Sequence, residues 1–235
     1  CLLSRGLGDV YKRQPKHRGF TLLELLVVLI LVAITVSMAL PSFLSAIRRS
    51  EVRSAALQLA SVINYARVEA IRQGEIAYIV PTYFRKNGKF DDPEKYSWQK
   101  ANGLLAFIDN MGNDFRGTAH YNKDEEIRST QIKNSIAMVA EVAPLSNLNQ
   151  FTTNEIGLLI YPNGEMKYTP NYRSTSKGNS GYIVRITLKD KRVPTDYHCL
   201  WIDTLARAHS CPSALKAADV SDIEKQICSC GPVTK

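Results

Sequence analysis

The chemistry this chain offers begins at three residues near its start, Gly19, Phe20 and Glu24. Gly19 closes a short basic cluster, Lys16-His17-Arg18, and directly precedes an apolar run. A cut after it would leave that run on the mature chain with Phe20 as its new N-terminus. A secretory signal has the opposite layout, with the small-residue cleavage site after the apolar core. Glu24 puts a carboxylate just inside the run, where a charge costs about 2.5–3.5 kcal/mol at mid-membrane and less near the interface. Such a charge needs a cation, and the nearest new one is the ammonium that cleavage would free on Phe20, of this chain or of a neighbour. The chemistry these residues offer is thus charge pairing of the Glu24 carboxylate with an ammonium, which a cut after Gly19 would supply.

Three other groups have reactive residue types but not the spacing. Asp109-Asn110-Met111-Gly112-Asn113-Asp114 is rich in oxygen ligands yet lacks the one-in-two ligand spacing and terminal glutamate of an EF-hand, and reads as an Asx-rich connection. Gly178-Asn179-Ser180-Gly181 superficially resembles a serine-nucleophile turn. It lies in a Ser/Gly/Asn-rich stretch, 174–181, that reads as an exposed linker, and His120, His198 and His209 offer it no partner pattern. His198, Cys199, His209 and Cys211 are zinc-ligand types, but they match no common finger. No metal, cofactor or catalytic residue is therefore expected.

Apart from Cys1, the cysteines are Cys199, Cys211, Cys228 and Cys230. An even, clustered set in an exported domain reads as two disulfides with three connectivities. A bond between Cys228 and Cys230 would be strained. Cys199 with Cys211 closes a short hairpin-like loop and is the preferred pair.

The element that must position the first group is a helix. From Leu25 to Leu40 no residue is charged, and only Thr35 and Ser37 have polar side chains. With Leu22 and Leu23 this is enough to cross a hydrocarbon core, which takes about 20 residues at ~1.5 Å each. The preceding cations favour a cytoplasmic N-terminus and an exported remainder.

After Pro41 the helix is predicted to continue to Gln73. Ile47, Val52, Ala55, Leu59, Val62, Ala66 and Ala70, with Ile63 and Ile71, form an apolar stripe, and Arg48, Arg49, Arg53, Arg67 and Arg72 lie mostly off it. Gly74 is a natural stop. Strands are predicted over 75–80 (ending at Pro81), 103–109, 131–142, 156–161, 165–168, 182–188 and 199–203, and a short helix within 214–227. Residues 86–100 and 110–118 read as loops, and Pro162-Asn163-Gly164 as a turn. The expected fold class is α+β, with two small antiparallel sheets packed on the amphipathic half of one long helix.

Residues 1–14 resemble translated adapter sequence and are set aside, which leaves 15–19 as a leader. The whole chain carries 30 Lys+Arg against 22 Asp+Glu. Residues 1–19 hold five of those bases and one acid, so 25 and 21 remain, a net +4. Residues 20–164 are balanced at 14 and 14, and 165–235 carry 11 and 7. All the net positive charge of the mature chain falls at its C-terminal end.

Arg18-Gly19-Phe20-Thr21-Leu22-Leu23-Glu24-Leu25-Leu26 resembles the class III signal of type IV prepilins and type II secretion pseudopilins. The resemblance implies a prepilin peptidase that cuts after Gly19 and N-methylates Phe20. It further implies that Glu24 pairs with the N-terminal amine of an adjacent pilin or pseudopilin subunit, and Pro41 sits where many pilins kink.

The strand and loop at 103–114, the strand and turn at 156–164, and the cysteine-bracketed segment from Cys199 to Cys211 resemble the head of the GspH/FimT minor pilins. That implies a pilin-like fold with domains 20–40 (membrane and filament core), 41–73 (amphipathic helix) and 74–235 (head). It implies a structural, non-enzymatic subunit inserted in the inner membrane, with a periplasmic head that enters a filament. The motifs are common to pili and secretion pseudopili.

Some members of that family bind DNA through Gly-Arg-x-Arg in the C-terminal hairpin. The matching positions here are Ala206-Arg207-Ala208-His209, which keep one arginine, Arg207. Phosphate contacts need several cations together, and Lys189, Lys191 and Arg192 are the nearest in sequence. DNA is the alternative partner, against a plain solvated basic face.

Overall fold

The structure is a computed structural model that describes residues 19–89, 97–108, 126–153, 156–169, 178–193, 195–211 and 220–230. The acidic loop 109–114, His120, the linker 174–177, the first residues of the expected C-terminal helix and everything before Gly19 lie outside these. The chain divides into two units, with the break between Leu44 and Ser45.

Helix α1 spans Leu22–Gln73 and contains Pro41. In the first unit every described residue is exposed. The hydroxyls of Thr35 and Ser37 donate to carbonyls one turn back, those of Val32 and Ile34, at 2.9 and 2.7 Å. These two polar side chains thus leave no dangling donor on an apolar surface. α1 contains a window long and apolar enough to cross a membrane.

In the second unit, α1 buries Val52, Ala55, Ala56, Leu59, Ala60, Val62, Ile63, Ala66 and Ala70. This is the predicted stripe, except that Ile47 and Ile71 stay exposed. Gly74 ends the helix with φ +75° and donates to the Ala70 carbonyl at 3.0 Å, a left-handed cap that suits glycine.

Among the described residues ten strands follow: β1 Ala77–Thr82, β2 Gly103–Ile108, β3 Glu126–Gln131, β4 Ile136–Pro144, β5 Thr152–Thr153, β6 Gly157–Ile160, β7 Met166–Thr169, β8 Tyr182–Asp190, β9 Tyr197–Ile202 and β10 Ala208–Ser210. A short helix, α2, spans Asp222–Ile227. The strands form two antiparallel sheets, ordered β3-β2-β1-β6-β7 and β10-β9-β8-β4-β5. Inward residues of both sheets, such as Leu104, Ile79, Leu158, Met138, Ile186 and Leu200, share one core with the helix stripe.

Several boundaries differ by one or two residues, β3, β5 and β10 were not expected, and two departures have a clear physical cause. β1 runs through Pro81, because β6 covers only Ala77–Ile79 and leaves Pro81 beside an open position where a missing N–H is tolerated. The single strand expected over 131–142 is two. The chain turns at 132–135, closed by the Ile136 N–H on the Lys133 carbonyl at 2.9 Å, and passes from the first sheet to the second.

β8 is buried along nearly its whole length because both faces of its sheet are covered. Val184, Ile186 and Leu188 face the shared core, while Ile183 packs outside with Leu148, Phe151, Trp201 and Ile227 of α2.

Candidate functional site

Gly19 and Phe20 are exposed immediately before α1. Thr21 is the residue that starts the helix. Its hydroxyl accepts the Glu24 N–H at 3.2 Å, and its carbonyl accepts the Leu25 N–H at 3.1 Å. Thr21-x-x-Glu24 is thus a helix-capping sequence, a second role for these residues that the [ST]-x-x-[DE] pattern signals. Glu24 lies in the first turn, where a carboxylate also complements the helix dipole.

At the other end of the chain, the β9–β10 turn is built on Asp203. One carboxylate oxygen accepts the N–H groups of Leu205 (3.0 Å) and Arg207 (2.9 Å), and the other accepts from the Arg207 Nε (2.7 Å) and faces the His209 Nε2 (3.4 Å). Burial pushes the Asp203 carboxyl up, but these donors outweigh it and hold the pKa below the ordinary value. Ala206 is buried with φ 57°, which is why glycine suits this position. Helix α1 holds the turn: the Arg67 Nε donates to the Leu205 carbonyl at 2.7 Å, and the Asn64 Oδ1 accepts the Ala208 N–H at 3.0 Å.

A group whose folded pKa is depressed stabilises above its unfolded value and loses that contribution as pH falls through the folded one. The hairpin is therefore expected to hold at neutral pH and loosen below pH ~4. Acid titration followed by amide exchange at Leu205 and Arg207 checks this. Asp203→Asn should abolish the pH dependence.

Arg207 is engaged with Asp203 and stands apart from the other predicted cations. In the β8–β9 ladder, Ile202 pairs with Val184, whereas Tyr197 pairs with Lys189. Five residues of strand, about 17 Å at ~3.3 Å per residue, separate the two ends. Lys191 donates to the Asn134 carbonyl at 2.7 Å, and Arg192 binds Asp190 at 2.9 and 2.5 Å. The structure thus separates Arg207 from Lys189, Lys191 and Arg192, and the four do not make one phosphate-binding constellation.

The cysteines pair differently from the expectation. The bonds are Cys199–Cys230 and Cys211–Cys228, with Cα–Cα distances of 6.7 and 5.6 Å, instead of Cys199–Cys211. Cys199 and Cys211 are indeed neighbours, since the Cys211 N–H donates to the Cys199 carbonyl at 3.0 Å. α2 brings Cys228 and Cys230 against them in one buried cluster. Joining Cys199 to Cys211 would leave two residues one position apart to bond each other, whereas cross-pairing satisfies all four. With both thiols oxidised, the zinc set of His198, Cys199, His209 and Cys211 is lost as well, and His198 instead contacts the Ser210 hydroxyl at 2.8 Å.

Replacing Cys211 and Cys228 together with serine opens a loop with a sequence separation of 17. The expected loss is about 3 kcal/mol, read as a lower urea midpoint.

The described residues thus combine one long helix, apolar in its first part, with two antiparallel sheets that share a core with its second part. Residues 14–40 match the family described as the prokaryotic N-terminal methylation motif. Among solved structures, the chain is similar to the Pseudomonas aeruginosa (strain PAO1) type IV minor pilin FimU. In one crystal form the identity is 16% and the TM-score 0.40, covering 70% of this chain and 91% of that one. In a second form the values are 15% and 0.37, with 68% and 92% covered. No curated protein sequence matches the chain.

Proposed function

We propose that this chain is a minor pilin or pseudopilin of the GspH/FimT type, a structural subunit of a type IV pilus or a type II secretion pseudopilus. The observation that carries the reading is the methylation motif over residues 14–40, with Gly19–Phe20 exposed ahead of an uncharged apolar helix. A prepilin peptidase removes the leader, 15–19, by cutting the Gly19–Phe20 bond and methylates the Phe20 amine. Residues 20–40 then hold the subunit in the inner membrane and later supply filament core. The amphipathic segment 41–73 is the spine of the periplasmic head, 74–235. Glu24 meets the Phe20 ammonium of an adjacent subunit, which relieves the cost of a carboxylate in an apolar setting.

Co-expression with a prepilin peptidase and mass spectrometry of the N-terminal peptide test this. The expected product begins at N-methyl-Phe20, and Gly19→Leu should leave the leader attached. An uncut wild-type chain would overturn the proposal.

A further inference from the structure

At one end of the head, three segments bring charge together: α1 at residues 48–53, the β3–β4 turn and the β8–β9 loop. The charges are sorted by depth. Asp190 is fully buried, and the side chains of Asp196 and Glu51 are 8% and 24% exposed. The cations that bind them face outward, with Arg49, Lys133 and Arg192 side chains 71%, 64% and 57% exposed. Arg48 and Arg49 both reach Asp196, at 3.4 and 3.3 Å. Glu51 takes Lys133 at 2.5 Å and Arg192 at 3.6 Å. Lys191, also exposed, is held by the Asn134 carbonyl. Buried or half-buried carboxylates thus hold Arg48, Arg49, Lys133 and Arg192, the Asn134 carbonyl holds Lys191, and these five cations outnumber the three carboxylates.

The position of this face along the chain selects its partner. Arg48 follows Leu44, in the exposed apolar series, by four residues. Even a fully extended chain puts it no more than about 14 Å away, and the head-group layer of a bilayer is roughly 5–7 Å deep on each side. The other exposed arginine of the C-terminal hairpin, Arg207, is at the far end of the second sheet, so a nucleic acid engaging both would have to bridge its length.

We infer that this face docks on anionic phospholipid head groups, with Arg49, Lys133, Lys191 and Arg192 as donors to lipid phosphates. The inference rests on the membrane-anchored reading above. Each cation near an anionic surface contributes about a fivefold preference.

The test uses the full chain reconstituted in phosphatidylcholine vesicles with and without 30% phosphatidylglycerol. The lysines are labelled with a membrane-impermeant amine reagent and read by mass spectrometry. Lys133 and Lys191 should react about fivefold more slowly with phosphatidylglycerol present, and the difference should vanish at ~500 mM salt. Lys225, on α2, should not change. Arg49→Gln, which leaves Arg48 on Asp196, should restore part of the Lys133 reactivity while the fold is kept. Equal rates in both vesicles, or slowing that includes Lys225, would overturn the inference, as would protection of Lys133 and Lys191 by duplex DNA on phosphatidylcholine vesicles at the same salt. A chain stripped from the vesicles by alkaline wash would instead overturn the membrane anchor itself.

Discussion

Arg185→Ala is expected to destabilise the head by about 3–5 kcal/mol, the range for removing one partner of a buried ion pair. The guanidinium is 10% exposed and joins four parts of the fold. It binds Glu141 of β4 at 2.9 Å, donates through NH1 to the Ile227 carbonyl at 3.1 Å, and lies over the Phe151 ring at 3.8 Å. Deleting it leaves the Glu141 carboxylate beneath α2 without its cation, and leaves the last carbonyl of α2 unpaired. Urea unfolding of the full chain in detergent, followed by the fluorescence of Trp98 and Trp201, measures the loss. The double change Arg185→Leu with Glu141→Leu should recover most of it, because no charge is then stranded. A single variant as stable as wild type would show that water reaches Glu141.

Glu24→Gln separates two roles that share one residue. Glutamine at the third helical position still suits the Thr21 cap but has no charge to offer a neighbouring ammonium. If charge pairing drives assembly, Glu24→Gln should insert in the membrane at least as well as wild type, since a carboxylate costs up to about 2.5 kcal/mol there. It should enter filaments at least tenfold less, a loss of only ~1.4 kcal/mol per tenfold. Sheared-filament immunoblots read against membrane levels give the ratio. Normal incorporation of Glu24→Gln would reduce Glu24 to a capping residue.

Much of the helix was legible in the sequence, because charge-free length and a three-to-four spacing are local signals. The stripe through Val52, Leu59, Val62 and Ala66 needs no tertiary information, and neither does the stop at Gly74. β8 was legible for the same reason, as Val184, Ile186 and Leu188 alternate with Ile183, Arg185 and Thr187. The polar β3, Glu126–Gln131, was missed: it is an edge strand, and what makes it a strand is its register against Gly103–Phe107. The buried pair Arg185–Glu141 was hidden because its members lie 44 residues apart. The Gly19, Phe20 and Glu24 pattern is local, and it lies inside the stretch that matches the N-terminal methylation motif. The spacing of the cations was not legible, because nearness in sequence across β8 and β9 hides the length of a strand between Arg207 and Lys189.

If the head is exported as proposed, the cross-linking of Cys199–Cys230 and Cys211–Cys228 imposes an order of events on the chain. The first two thiols to leave the translocation channel are Cys199 and Cys211, which are neighbours in the finished hairpin and therefore each other's nearest available oxidation partner. Their correct partners follow 31 and 17 residues further along the chain. Early oxidation would yield a hairpin closed on itself, with residues 228–230 shut out and α2 unable to cover Arg185. Productive maturation would then depend either on oxidation that waits for Cys228 and Cys230 or on an isomerase that reopens the premature bond.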